Sequence, residues 1–223
     1  MKRAIVFALL AVAAAAPATA SAQFSLGARV AYAMPFGDLQ GPDTPGDPST
    51  SLGDVVSSAI PIQVDALYRV TPQLSLGAYF SYAFAQAKFE IPGIPVTCDT
   101  SGVDCSGSQM RFGIQGAYAF KAGGFEPWVG AMIGYEILDV TLSLSGVGDV
   151  DASVKGFEWF TLQGGADWNL SKTFVLGPFV AFGFGQYTDR RFEVPGDPAV
   201  DESIPEKAFH EWLSLGVRGR FDL

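Results

Sequence analysis

From residue 24 onward the chain alternates, residue by residue, between apolar positions and small or polar ones. In "FSLGARVAYAM" one face carries Phe24, Leu26, Ala28, Val30, Tyr32 and Met34, and the other Ser25, Gly27, Arg29, Ala31 and Ala33. "IPIQVDALYR" sets Ile60, Ile62, Val64, Ala66 and Tyr68 against Gln63, Asp65, Leu67 and Arg69. "LSLGAYFSYAF", "MRFGIQGAYAF", "EWFTLQGGADWNL" and "LSLGVRGRFDL" repeat the pattern, the last with Arg218 and Arg220 on its polar face. A period of two is the signature of a β-strand with two different surroundings. Two stretches are less clean. In "WVGAMIGYEILDVTLSL" an outward set of Val129, Ala131, Ile133, Tyr135 and Ile137 leaves Glu136 inward, and a bulge would shift that register. "FVLGPFVAFGFGQY" is apolar on both faces, so its register stays open.

About eight strands result, and the links between them alternate in length. "VTPQ", "KAGGFEP" and "NLSKT" are short; 35–59, 89–108, 145–156 and 188–208 are long and rich in Gly, Pro, Ser and Asp. That alternation is what an up-and-down barrel across a membrane shows, with turns on one side and loops on the other. A soluble sandwich would also alternate, with its polar faces wet. The strands are longer than sandwich strands, at about 10–14 residues against a usual 5–6, and suit a tilted crossing. Aromatics gather toward strand ends as interfacial girdles do: Phe24, Tyr68, Phe120, Trp168 and Phe221 near the short turns, and Tyr32, Phe84, Phe160 and Tyr187 toward the long loops. The expected fold is all-β: an eight-stranded antiparallel up-and-down transmembrane β-barrel with short periplasmic turns and long extracellular loops.

The first residues change the picture only by giving a route. Lys2 and Arg3, then "AIVFALLAVAAAA", then Ala20-Ser21-Ala22 have the three parts of a cleaved export signal, so residues 1–22 are expected to be removed and 23–223 to form one barrel domain. The formal net charge of −9, more negative once Lys2 and Arg3 are gone, argues against nucleic acid, whose phosphates need clustered Lys and Arg. Cys98 and Cys105 are the two cysteines; in an exported chain they are expected to form a disulfide, and their spacing fits neither a redox CxxC nor a zinc pattern.

An export signal, about eight amphipathic strands, long outward loops and an amphipathic closing strand together resemble the small outer-membrane β-barrel proteins of Gram-negative bacteria, the OmpA- and OmpW-like barrel domains. The resemblance covers essentially all of the exported chain and rests on pattern, so it speaks to architecture more than to activity. It implies residence in the outer membrane, assembly from the periplasm by the outer-membrane assembly machinery, a monomer, and contact with outer-membrane lipid or lipopolysaccharide. Barrels of this kind usually end in Phe or Trp; here the end is Leu223, with Phe221 one alternation earlier on the same face. No peptidoglycan-binding domain is expected after the barrel.

Candidate chemistry is confined to the polar face. Arg29, Asp65 and Arg218 are expected at similar heights in the lumen, near Gln115 and Gln163, with Arg69, Asp167 and Arg220 lower. A barrel this small is filled by side chains, so opposite charges there are expected to pair. The single histidine, His210, beside Glu211 and Trp212, is expected at the loop rim, and no nucleophile motif such as G-x-S-x-G accompanies it. Loop acids, among them Asp38, Asp43, Asp47, Asp54, Asp149, Asp151, Asp197, Asp201, Glu202 and Glu206, lack the fixed ligand spacing of a calcium loop. No metal or cofactor is expected. The expected function is structural or surface-interacting without catalysis; the alternative is a narrow channel or carrier for small, even hydrophobic, solutes across the outer membrane.

Overall fold

The computed structural model describes residues 24–42, 49–88, 98, 101–120, 124–146 and 148–223. The export signal and the acids Asp43 and Asp47 lie outside the described residues. Strands β1 (Phe24–Gln40), β3 (Val56–Arg69), β4 (Leu74–Ala87), β5 (Val103–Ala119), β6 (Phe125–Leu144), β7 (Gly148–Asn169), β8 (Phe174–Glu193) and β10 (Phe209–Asp222) form the wall. Two short strands, β2 (Thr50–Ser51) and β9 (Val200–Ser203), and a single helical turn α1 (Leu52–Val55) belong to the outer end.

Neighbouring strands are antiparallel from β1 through β8, and β10 pairs with both β8 and β1. The sheet is therefore a closed ring of eight strands. Closure is the physical solution for a membrane-spanning sheet, because an open edge in lipid leaves backbone N–H and C=O groups without partners. The seam runs in continuous register from Ser25↔Asp222 to Gly37↔His210.

Burial follows the alternation. Leu26, Val30, Ile62, Val64, Phe80, Ile114, Leu162, Leu215 and Val217 are exposed on the outer face, while Arg29, Gln63, Asp65, Ser81, Gln115, Gln163 and Arg218 are buried inside. This is inside-out for a water-soluble protein and correct for a barrel with lipid outside. In β6, Glu136 is buried and Val129 and Ile133 exposed, as the alternation implied. The open register of β8 resolves with Leu176, Val180 and Phe182 outward and Val175, Phe179, Ala181 and Tyr187 inward. Tyr187 is thus fully buried in the lumen rather than part of the girdle. At the short-turn end the β3–β4 and β7–β8 turns are built alike: the Thr71 hydroxyl accepts from the Gln73 and Leu74 amides, and the Ser171 hydroxyl from those of Thr173 and Phe174.

The described parts of the long links are less loop-like than their composition suggests. The segment 145–156 is almost all strand: β6 and β7, of 20 and 22 residues, meet at a tight turn with Gly146 at φ 85° and Gly148 at φ 116°. Asp149 and Asp151 consequently lie in a strand. β8 also has 20 residues, whereas β3, β4 and β10 have 14. At about 3.3 Å per residue the tall side of the wall exceeds the short side by about 20 Å of strand. The Cys98–Cys105 disulfide is formed and ties the link after β4 to the upper part of β5.

Two bulges re-aim side chains. Pairing of β7 with β8 shifts between Glu158 and Phe160, so Trp159 and Phe160 both face outward and Glu158 turns inward. A second shift between Lys155 and Gly156 absorbs Thr188; above it, Arg190 and Phe192 lie opposite Val154 and Ala152, and Asp189 and Arg191 opposite Lys155 and Ser153.

Candidate functional site

The lumen holds two polar layers. In the lower one, Arg29 Nε donates to Asp65 Oδ2 at 2.6 Å, and its two terminal nitrogens donate to Gln163 and to Gln115, the latter at 3.0 Å. The other oxygen of Asp65 accepts from Gln63 and Gln115, both at 2.7 Å. Beside this set, Arg218 makes a forked contact with Asp167 at 2.5 and 3.1 Å, and Trp128 Nε1 donates to the same carboxylate at 3.2 Å. The Arg218 guanidinium lies 3.4 Å from the centre of the Trp128 ring. Arg220 bridges Glu126 and Asp222 at 3.0 and 3.1 Å, and Arg69 reaches Asp222 at 3.0 Å.

All six lumen charges chosen from the sequence therefore take part in ion pairs. The pairing differs in two respects from the expected heights: Asp167 serves Arg218, with Arg220 4.0 Å away, and Arg69 pairs with Asp222. Antiparallel register explains it. Arg29 and Arg218 are direct neighbours across the seam, so each must turn to a carboxylate on another strand.

The upper layer is different in kind. Glu136 accepts from Gln109 at 3.0 Å, from Trp212 Nε1 at 3.3 Å and from the Tyr187 hydroxyl, and His210 Nε2 lies 3.4 Å away. Glu158 accepts from the Tyr79 and Thr161 hydroxyls, with Arg111 3.9 Å away. His210 is not at the rim: it is 1% exposed and stacks on Tyr187 with ring centres 4.1 Å apart. Position alone suggests the rim, because the final link runs up to Ala208; the alternation of β10 puts His210 on the same side as Trp212 and Arg218. Glycines leave the room. A Cβ on Gly185 would sit 2.8 Å from His210 Nε2, and one on Gly134 would overlap the Tyr79 hydroxyl. The alternation does not mark Glu158 and Arg111 as a pair; the adjacent Trp159-Phe160, which breaks it, is the signal of the bulge and hence of Glu158.

Between the layers lies a cavity of about 20 Å³, bordered by Arg29, Gln63, Arg111, Met132, Thr161 and Trp212. That is room for about one water molecule. Above the upper layer the lumen becomes apolar: Leu52 of α1, Val56 and Ile204 are buried against Ala33, Leu138, Tyr187 and Trp212. The link segments thus fold inward and seat a stopper on the barrel. Ser51 starts α1, its hydroxyl accepting from the Gly53 amide. On the outer side of the stopper, Leu39, Val55, Leu138, Val140, Val154 and Phe192 line an apolar vestibule of about 290 Å³, rimmed by Gln40, Arg190 and Glu202. Arg190 donates to Glu202 at 2.7 Å and to Gln40 at 2.8 Å. On the exterior, Arg191 bridges Glu193 and Asp201, both at 3.1 Å; the hydrogen bond to Glu193 and the charge of Asp201 push its pKa up. Among the described residues no group of three or more His, Cys, Asp or Glu side chains is arranged to hold a metal ion.

A closed eight-stranded ring with an apolar exterior, an ion-paired interior and aromatics at both ends defines a membrane-spanning β-barrel of the outer-membrane type, its exposed belt facing lipid. No protein-family model and no curated protein matches the sequence. Solved structures do. OprG of Pseudomonas aeruginosa is 14% identical, with 91% of this chain covering 98% of that one at a TM-score of 0.51. A major outer membrane protein of Thermus thermophilus is 12% identical, with 88% covering 99% at 0.51. Neisserial surface protein A is 14% identical, with 92% covering 99% at 0.49. At these identities the likeness is one of fold.

Proposed function

We propose that the protein is a closed, non-enzymatic outer-membrane barrel whose function lies at its outer surface, as a structural or surface-interacting component. The observation that carries this reading is the filled lumen: two hydrogen-bonded polar layers and an apolar stopper leave about 20 Å³ between them. Its partners in this reading are the surrounding outer-membrane lipid or lipopolysaccharide and, during biogenesis, the outer-membrane assembly machinery; it acts as a monomer and takes no nucleic acid. In planar bilayers the wild-type protein is expected to give no steady ion conductance. A solute-dependent current abolished by Arg218→Ala or Asp65→Ala would overturn the closed reading.

One observation favours a second reading. The vestibule above the stopper is lined mainly by apolar side chains and opens outward, which suits a carrier that takes up small hydrophobic solutes. Filling it with Val140→Trp would abolish uptake of such a solute into proteoliposomes if this reading holds, and would leave a purely structural barrel unaffected.

A further inference from the structure

The outer face of the tall wall carries a cation that has no acidic partner among the described residues. Lys155 of β7 is half-buried on the exterior, beside Tyr135, Ser153 and Arg191. Asp189 lies directly across the β7–β8 ladder from it, but the Asp189 carboxylate accepts instead from the hydroxyls of Thr188 at 2.6 Å and Ser203 at 3.4 Å. Arg191 is taken up by Glu193 and Asp201. Among the described residues no carboxylate comes within ion-pair distance of the Lys155 ammonium. Two grooves meet at this side chain, of about 340 and 520 Å³, the second reaching Met110, Ile137 and Asp139.

Its height matters. Directly below runs an aromatic band on the outer face, Phe112–Tyr135–Phe157–Trp159, with successive ring centres 6.0, 5.5 and 5.9 Å apart. Such bands lie at the boundary between hydrocarbon and headgroups. Lys155 is two residues beyond Phe157, about 6–7 Å further along the strand. The grooves are thus continuous with the lipid-facing belt and open where phosphates begin. Asp139, Asp151 and Glu193 stand higher on the same face, and Asp189, Asp201 and Glu202 line the first groove itself, the last two held by Arg191 and Arg190.

We propose that Lys155 seats a phosphate of an outer-leaflet lipid headgroup, with the sugar or glycerol part lying in the adjoining grooves. The inference rests on the reading that outer-membrane lipid is a partner of this barrel. An ammonium donates three hydrogen bonds and pairs with phosphate as a point charge, and the half-buried stem fixes where that charge sits. The Thr188 bulge is part of the site, since it turns Asp189 and Arg191 outward to frame it.

The test uses the refolded full barrel in phosphatidylcholine vesicles containing either lipid A with its phosphates or the same lipid A with the phosphates removed. Thermal unfolding is followed by the shift in electrophoretic mobility. The wild type is expected to unfold at a higher temperature with phosphorylated lipid A. Lys155→Gln loses most of that increment, Lys155→Arg keeps it, and Lys172→Gln, at the exposed short turn on the opposite end, leaves it unchanged. If Lys155→Gln retains the full increment, or Lys172→Gln loses as much, the site is overturned. If both forms of lipid A stabilise the wild type equally over phosphatidylcholine alone, lipid remains a partner and the Lys155 phosphate site falls.

Discussion

The two polar layers of the lumen bury carboxylates by opposite means. In the lower layer each acid faces a guanidinium at close range, Asp65 with Arg29 at 2.6 Å and Asp167 with Arg218 at 2.5 Å. In the upper layer Glu136 and Glu158 are held chiefly by neutral donors, namely the hydroxyls of Tyr79, Thr161 and Tyr187, the Gln109 amide and the Trp212 indole. The nearest guanidinium, Arg111, is 3.9 Å from Glu158. Ion pairing concentrates the stabilisation in a few contacts, so one deletion strands a buried charge. A shell of neutral donors spreads it, so each donor matters less.

Substitutions across the two layers sharpen that contrast. Asp167→Asn has the largest expected effect, a loss of about 3–5 kcal/mol in urea unfolding of the bilayer-inserted protein, because Arg218 loses its partner and Arg220 and Trp128 lose theirs in part. Asp65→Asn follows at about 2–3 kcal/mol, since Gln115 and Gln163 remain to accept from Arg29. Gly185→Ala drives a methyl into His210 and costs about 1–3 kcal/mol, visible as a lowered unfolding midpoint. Tyr187→Phe removes one of several donors to Glu136 and costs about 1 kcal/mol in the same titration. If Tyr187→Phe proved as damaging as Asp167→Asn, the distinction between concentrated and distributed pairing would be lost.

How much of this could be read from the chain depends on what reads the chain. Lipid tests every second residue of a crossing strand, so the faces of β1, β3, β4, β5 and β10 follow directly from alternation, and with them the inward set Arg29, Asp65, Arg218 and Arg220. Where the lumen-facing side is built of small residues, the contrast disappears. Gly177, Ala181, Gly183 and Gly185 line the inner face of β8, where Gly177 admits the β7 backbone and Gly185 the His210 ring, so its two faces look alike and Tyr187 passes for a girdle residue. Bulges defeat parity outright: a single extra residue at Trp159 turns Glu158 inward, and one at Thr188 exchanges the faces of Arg190 and Arg191. Link lengths misled for another reason. Gly, Ser and Asp in 145–156 mark a turn, yet the flanking residues lie above the belt, where strands meet water and need no apolar face.

The seam between β1 and β10 has a further consequence, in the order of assembly. Every other wall contact joins strands next to each other in sequence and can form as a local hairpin. The seam alone joins the two ends of the ring, down to the hydrogen bond from the Leu223 amide to the Phe24 carbonyl at 2.8 Å. Such a pairing has the largest loop-closure entropy in the molecule and is expected to form last. Until it forms, β1 and β10 each present an unpaired edge. The ring of hairpins is then a template waiting for one zipper, and Phe221, packed against Phe174 with ring centres 4.4 Å apart, stands at the end from which β8 aligns that zipper.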